Sequence, residues 1–514
     1  MKYILPALAA LLLFVSGCQE SLEELGRVDD TRFRAEYALP LLDSRVTLDE
    51  LIGDVDDNVS VSIDPDGLLR FRYSGTVPEV GAGMFFDRLN ELVAGLFVPV
   101  TSNRQAIPFS GNEQFGPDEL HVKGGLLTYS LPNSYDEPVN VEVSIPEATL
   151  DGVPLTITGS IPAYEGTGPR PALTNPEDPV DLAGYIMRLP QDSLFVEYRL
   201  TDAEGNELET VDGSAIVITG LNFDYVEGFI GQEVYPGGRD TIFVDFFENY
   251  LGGEVFFVNP TITMTLENSF GLPAKALVDV LSIIDVNGNE LPIEGPAIDD
   301  GFDFDFPTVP GDIATTTFVF DTSNSNIDEI LSSQPVAVDY EVNALINPDN
   351  DTELDGFLSD TAFYRARVDV ELPLYGNADN FTIRDTFPIN IMDDYESITE
   401  VTFRLTTENS LPLDVEITGV FLDSLGNVLA ALSAEELNLI RGSAVDANGN
   451  PLEVVETTND LVFGGERLEA IREAASLAIV LDFSTSEGGT PFVRVTNDQA
   501  LRVLLGAIVT VDRL

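Results

Sequence analysis

Short runs in which apolar and polar residues alternate recur along most of the chain. Val59-Ser-Val-Ser-Ile63 and Leu69-Arg-Phe-Arg-Tyr73 alternate with period two, the spacing that sends successive side chains to opposite faces of a strand. Asp64-Pro65-Asp66-Gly67 lies between them. Proline there fixes φ and glycine supplies a positive φ, so the pair reads as a hairpin. Similar strand signals fall at 126–131, 139–145, 155–161, 194–200 and 215–218. A helical period occurs over 84–97, with Phe85, Leu89, Leu92, Val93 and Leu96 on one face. The Pro-, Gly- and Thr-rich stretch 163–179 has no period and reads as a linker or a long surface loop.

The second half repeats itself. Ile262-Thr-Met-Thr-Leu-Glu-Asn-Ser269 is echoed by Val401-Thr-Phe-Arg-Leu-Thr-Thr-Glu-Asn-Ser410, and each reaches a Leu-Pro pair, Leu272-Pro273 and Leu411-Pro412. Each copy then runs through an apolar strand into a turn, Asp285-Val-Asn-Gly-Asn289 or Asp423-Ser-Leu-Gly-Asn427. A short helix follows, at 327–332 or 467–475, and two more strands close the unit. A fixed order of elements used twice predicts repeated modules. Glu36-Tyr-Ala-Leu-Pro-Leu41 and Asp369-Val-Glu-Leu-Pro-Leu374 are a weaker echo. The expected fold is all-β with a few short helices. It comprises two to three antiparallel sandwich-like modules, the last two an internal duplication. The expected boundaries are a β-rich domain at 31–220, one repeat at 221–375 and a second at 376–514.

Charge changes the picture of the surface. The sequence has 88 acidic residues against 25 basic ones, a net charge of −63. The acids are spread through every segment, and hydrophobic content is 44%, so this is a chain with cores and not a disordered acidic tail. Such a surface repels itself unless salt screens it. Adaptation to saline surroundings is the simplest explanation, and binding of divalent cations is the alternative. Nucleic acid is excluded as a partner, because phosphate recognition needs a basic surface.

The N-terminus carries the most specific motif. Lys2 precedes an apolar run from Tyr3 to Val15, then Val15-Ser16-Gly17-Cys18. A basic start, a short apolar core and a small-residue cleavage site make a secretory signal. The core is shorter than the ~20 residues that span a bilayer. The four-residue run resembles the lipobox of bacterial lipoproteins. That resemblance implies cleavage after residue 17 and lipidation of Cys18, the chain's one cysteine. Two or more acyl chains anchor stably where one does not. The acidic stretch 18–30 then reads as a tether, similar to the surface-export signals of Bacteroidota lipoproteins, and Gln19 fits outer-membrane sorting. Taken with Asn259-Pro260, Asn268-Ser269-Phe270-Gly271 and Asn324-Ser-Asn-Ile327, the chain resembles a group of β-rich outer-membrane lipoproteins of Bacteroidota. That group brings no biochemical activity with it. The Asn and Pro residues before alternating strands also resemble sandwich domains of the late-embryogenesis-abundant type 2 class.

Catalytic motifs are sparse. His121, in Glu119-Leu-His-Val-Lys123, is the one histidine. It reads as a surface strand residue, with no Ser-His-Asp set or Gly-x-Ser-x-Gly elbow around it. Zinc would need several His or Cys ligands. Gly81-Ala-Gly83 lacks the third glycine of a dinucleotide loop. Paired-carboxylate hydrolysis stays open, although the chain has no Trp on which sugars commonly stack. Calcium is the sharper expectation. Asp351, Glu353 and Asp355 stand at alternate positions before Gly356, like the first half of an EF-hand loop, but position twelve is Ala362. Asp299, Asp300, Asp303 and Asp305 are a second candidate cluster.

The expectation is a non-enzymatic, lipid-anchored structural or interaction protein of the outer membrane. It would hold the membrane through its N-terminal lipid, meet an envelope protein or glycan partner, and use no cofactor beyond calcium. The alternative is a carrier of lipid or another hydrophobic ligand, with a tubular β-groove resembling the bactericidal/permeability-increasing type.

Overall fold

The computed structural model describes residues 33–47, 59–93, 95–108, 115–190, 193–244, 250–388, 398–432, 440–489 and 491–513. Cys18 and the segments 1–17 and 18–30, expected as leader and tether, lie outside the described residues. Among the described residues there are 33 strands and four short helices, and the strand pairings are antiparallel. The fold is all-β and multi-module. The period-two runs become strands whose apolar positions turn inward, as in Thr261–Asn268, where intermediate and buried positions alternate throughout. The hairpin at 64–67 forms with Ile63 opposite Leu69 and Gly67 at φ 87°.

Three sandwiches share one leaf order, although their strands are interleaved along the chain. In the outer module one leaf runs Phe33–Thr47, Ala500–Arg513, Ile398–Asn409, Val455–Gly464. Its facing leaf runs Tyr375–Pro388, Ser476–Thr485, Leu413–Leu422, Val428–Leu432. The middle module repeats this order with Leu69–Thr76, Phe363–Pro373, Thr261–Asn268 and Ala314–Phe320 in the first leaf. Arg239–Phe243, Pro335–Ile346, Ala274–Asp285 and Glu290–Pro292 form its second leaf. The inner module repeats it again. Its first leaf is Gly95–Pro99, Ala215–Phe229, Gly116–Pro132 and Ala172–Thr174. Its second is Arg104–Pro108, Ser193–Thr201, Val139–Leu150 and Val153–Ile161. There Ile186–Arg188 pairs with both leaves and joins them into one sheet of 11 strands.

The sheets cross the boundaries drawn at 220 and 375, because the modules are nested. The chain lays down the first strand of the outer module, then the first strand of the middle one. It next forms both leaves of the inner module over 95–229, adds the edge strand Tyr250–Phe257 to the outer module, returns to finish the middle module by Pro373 with Gly356–Ser359 set on the inner sheet along the way, and then finishes the outer one. Each opening strand pairs with its module's last strand: Phe33 faces Arg513, and Leu69–Thr76 lies beside Phe363–Pro373. The helix expected over 84–97 is Gly83–Leu92, and Gly95–Pro99 beyond it is a strand. Gly95, a poor helix former, opens that strand, so the helical period is not sustained through it. The stretch 163–179 is a surface loop carrying the short strand Ala172–Thr174.

The leaves are in direct contact. In the middle module the buried Tyr364 donates its phenol to the carbonyls of Tyr235 and Val342 on the facing leaf. A Cβ on Gly75 would lie 2.5 Å from the Tyr340 hydroxyl, so glycine is what lets these leaves close. In the outer module the rings of Phe421 and Phe463 meet edge-on across the leaves at 6.1 Å. Where the middle and outer modules meet, three backbone amides close a ring. Leu69 donates to Val495, Val495 to Leu374, and Leu374 back to Leu69, at 3.1, 2.8 and 2.8 Å.

One side chain marks the same corner in every module. Asn268 and Asn409 end equivalent strands, Asn133 directly follows the third, and all three are buried. Each Oδ1 accepts from the amide two residues on, Tyr135, Phe270 or Leu411, at 2.8–2.9 Å. Each Nδ2 donates to one nearby carbonyl and to one far along the chain, Pro162, Asp305 or Arg441. Asparagine suits this place because its amide is both acceptor and double donor.

Candidate functional site

The expected calcium loop is organised around an asparagine. Asn347, buried and at φ 47°, accepts the Asp351 amide on Oδ1 and donates through Nδ2 to the Asp351 carbonyl. The Asp351 carboxylate accepts the Glu353 amide at 2.9 Å, a local Asx turn. Asp351, Glu353 and Asp355 are exposed, and the loop delivers Gly356–Ser359 onto the inner module's sheet. In the second cluster Asp303 points outward from Phe302–Phe304, while Asp305 uses its backbone, accepting from Asn268 and donating to Thr316. Among the described residues no group of three His, Cys, Asp or Glu side chains comes together.

Gly81 pairs with Phe363 and Gly83 opens a helix, while Ala82 between them donates to the Ala362 carbonyl. That turn is a structural junction. The acidic turns have a shared design. In Asp202-x-x-Gly-Asn206, Asp285-x-x-Gly-Asn289, Asp423-x-x-Gly-Asn427 and Asp446-x-x-Gly-Asn450, the Asp carboxylate accepts the Asn amide. The Asn side chain donates back to the same carboxylate. These bonds hold the carboxyls of Asp202 and Asp423 below the usual aspartate range, the Asn side chain first and the backbone next.

The best-defined surface feature lies where Gly356–Ser359 joins the inner sheet. The register puts Tyr225 between His121 and Ser359, and Glu227 between Glu119 and Phe357. The rings of His121 and Tyr225 are 4.5 Å apart, and Tyr225 stacks on Phe357 at 6.4 Å and 20°. The result is an aromatic ladder across three strands. Carboxylates line it. Glu119 holds His121 Nε2 at 2.8 Å and Arg188 at 2.9 Å, and Glu227 accepts the Tyr225 hydroxyl at 2.9 Å. Glu119 and Glu227 face each other across the strands, a repulsive pairing that these donors offset. Partial burial, then the bond to Glu227 and its charge, push the Tyr225 phenol well above its usual range, so it stays protonated as a donor. Lys123 pairs with Asp360 at the ladder's side.

This arrangement stacks and hydrogen-bonds; it does not assemble a nucleophile with a base. Ser359 Oγ pairs with Thr361 Oγ1 at 3.1 Å, and Glu119 is the hydrogen-bonding partner of His121 Nε2. Sequence reasoning singled out His121 but missed the ladder. The aromatic partners Tyr225 and Phe357 come from strands 104 and 236 positions further along the chain, counted from residue 121. A period-two reading of the segment around Tyr225 could have marked an aromatic on the outer face, but not its neighbours.

No family model matches the chain, and no curated protein does. Among solved structures, a protein of Parabacteroides distasonis described as secreted is similar over 55% of this chain and 82% of its own, at 16% identity and a TM-score of 0.24. The VP2 subviral particle protein of infectious bursal disease virus is similar over 78% of this chain and 74% of its own, at 10% identity and a TM-score of 0.14. Likenesses at these scores carry no argument about fold or function.

Proposed function

We propose that the chain is a lipid-anchored, non-enzymatic binding protein of the bacterial outer membrane. Its signal and lipobox-like run place the anchor at Cys18, and among the described residues no helix is long and apolar enough to cross a membrane. The recognition surface is the His121–Tyr225–Phe357 ladder, and the partner is an envelope protein or glycan that presents flat faces and donors to ring and carboxylate groups. The observation that carries this reading is the ladder's composition: stacked rings set in paired carboxylates on a sheet face. The shared leaf order and the three Asn corners support reading all three modules as copies of one unit, of which the inner copy carries the ladder. The carrier alternative needs a continuous tunnel between leaves, and the contacts at Tyr364, Gly75 and Phe421, where facing leaves of the middle and outer modules touch, favour the binding-protein reading over it.

Two variants test the two halves of this proposal. Cys18→Ser is expected to release the protein from the membrane fraction while the β-modules stay folded by circular dichroism; a variant still held in the membrane would refute the anchor. Tagged wild type and Tyr225→Ala, purified from their own envelope and compared by mass spectrometry, test the ladder. A partner bound by wild type and lost with Tyr225→Ala supports it, and identical profiles refute it.

A further inference from the structure

An apolar cavity of about 160 Å³ opens where the middle and outer modules meet. Phe71 and Leu374 reach it from the middle side, and Val255, Phe381, Leu413 and Phe483 from the outer one. No lining residue is charged, in a chain with 88 acids and 25 basic residues. Two of its lining residues are small. Gly376 and Ala378 stand opposite Phe257 and Val255 in the strand pair, and a Cβ on Gly376 would lie 1.8 Å from the Phe256 carbonyl oxygen. Of its three polar lining side chains, Tyr375, Asn377 and Thr485, the last two are already bonded. Asn377 Nδ2 donates to Gly489, and Thr485 Oγ1 to Ala378. Water in the cavity would find few partners, so the space favours an apolar occupant. Rings flank the mouth: Phe492, half exposed, lies 5.6 Å from Phe256 and 6.3 Å from Tyr375.

We propose that this cavity is a binding site for a small uncharged apolar molecule, an aromatic ring or a compact branched hydrocarbon. A cavity of ~150 Å³ lined by aliphatic and aromatic groups takes benzene, so the volume matches a single ring and is too small for a drug-sized ligand, whose pockets begin at ~300 Å³. The strongly negative surface adds selection against anions, so a neutral ring enters where a fatty acid does not.

The test uses the full chain and fluorobenzene as the probe. Wild type is expected to broaden the ¹⁹F line, excess toluene to restore it, and toluene to raise the melting temperature, as any ligand of the folded state must. Ala378→Phe and Leu413→Phe fill the cavity from two walls, and each is expected to weaken binding at least tenfold without lowering the melting temperature. Loss of broadening in either folded variant supports the site. Absence of broadening with wild type, or its retention in both variants, overturns it.

Discussion

The buried asparagine corner makes the sharpest stability prediction. In Asn268→Ala, the Phe270 amide loses its acceptor, and the carbonyls of Phe270 and Asp305 lose a donor. Asn268 and Phe270 are almost fully buried, so water cannot replace those bonds. An unsatisfied buried group costs ~1–3 kcal/mol, and carbonyls tolerate the loss better than amides. The expected destabilisation is ~3 kcal/mol. Asn268→Asp should cost at least as much, because a carboxylate would face two carbonyl oxygens. Asn133→Ala and Asn409→Ala should match it, each within its own module. Asn427→Ala, at an exposed turn, should cost only ~1 kcal/mol. Three modules need not unfold together, so the assay is hydrogen exchange read by mass spectrometry over Thr261–Asn268. An Asn268→Ala protein whose strand protection falls by less than ~0.5 kcal/mol, or no more than that of Asn427→Ala, would refute the reasoning.

Other outcomes follow from the charge, the turns and the leaf contacts. With a net charge of −63, melting temperature should rise between low and molar sodium chloride; a flat profile would count against self-repulsion. The Asp202 and Asp423 carboxyls titrate below their usual range in the folded chain. Their contribution is therefore complete above the ordinary aspartate value, ~4, and is lost as pH falls through the lowered folded value. Protection at these two turns, measured relative to the intrinsic exchange rate at each pH, should fall below pH ~4 in wild type but be largely pH-independent in Asp423→Asn at its own turn. Tyr364→Phe removes a donor shared by two facing carbonyls and should cost ~1–2 kcal/mol in urea melting of the middle module. Gly376→Ala forces a Cβ onto the Phe256 carbonyl and should free the edge strand Tyr250–Phe257, visible as rapid exchange there.

Strands and turns were legible because they are local. Period-two runs and Asp-x-x-Gly-Asn turns state their conformation within ten residues. The nesting was not legible, because no local pattern tells Leu69–Thr76 that its neighbour is Phe363–Pro373. Glu36-Tyr-Ala-Leu-Pro-Leu41 does echo Asp369-Val-Glu-Leu-Pro-Leu374, and those segments lie in an opening strand and a closing strand, Phe33–Thr47 and Phe363–Pro373. The inner module hid its likeness because its fourth strand is broken into short pieces, Ala172–Thr174, Val180–Asp181 and Ile186–Arg188. The alternation of acids at 351–355 is visible in sequence, but not that their loop folds on Asn347. The ladder needs three strands that only the sheet brings together.

The pairing of the first described strand with the last has a mechanical meaning. Phe33 lies opposite Arg513 and Thr47 opposite Ala500, so the two strands are fed from opposite ends. A pull on the chain ahead of Phe33, along the strand, loads this pair in shear. Ladder hydrogen bonds run across the strands, so all of them must yield at once rather than one after another. A protein dragged by a tether at that end would resist as a lap joint does.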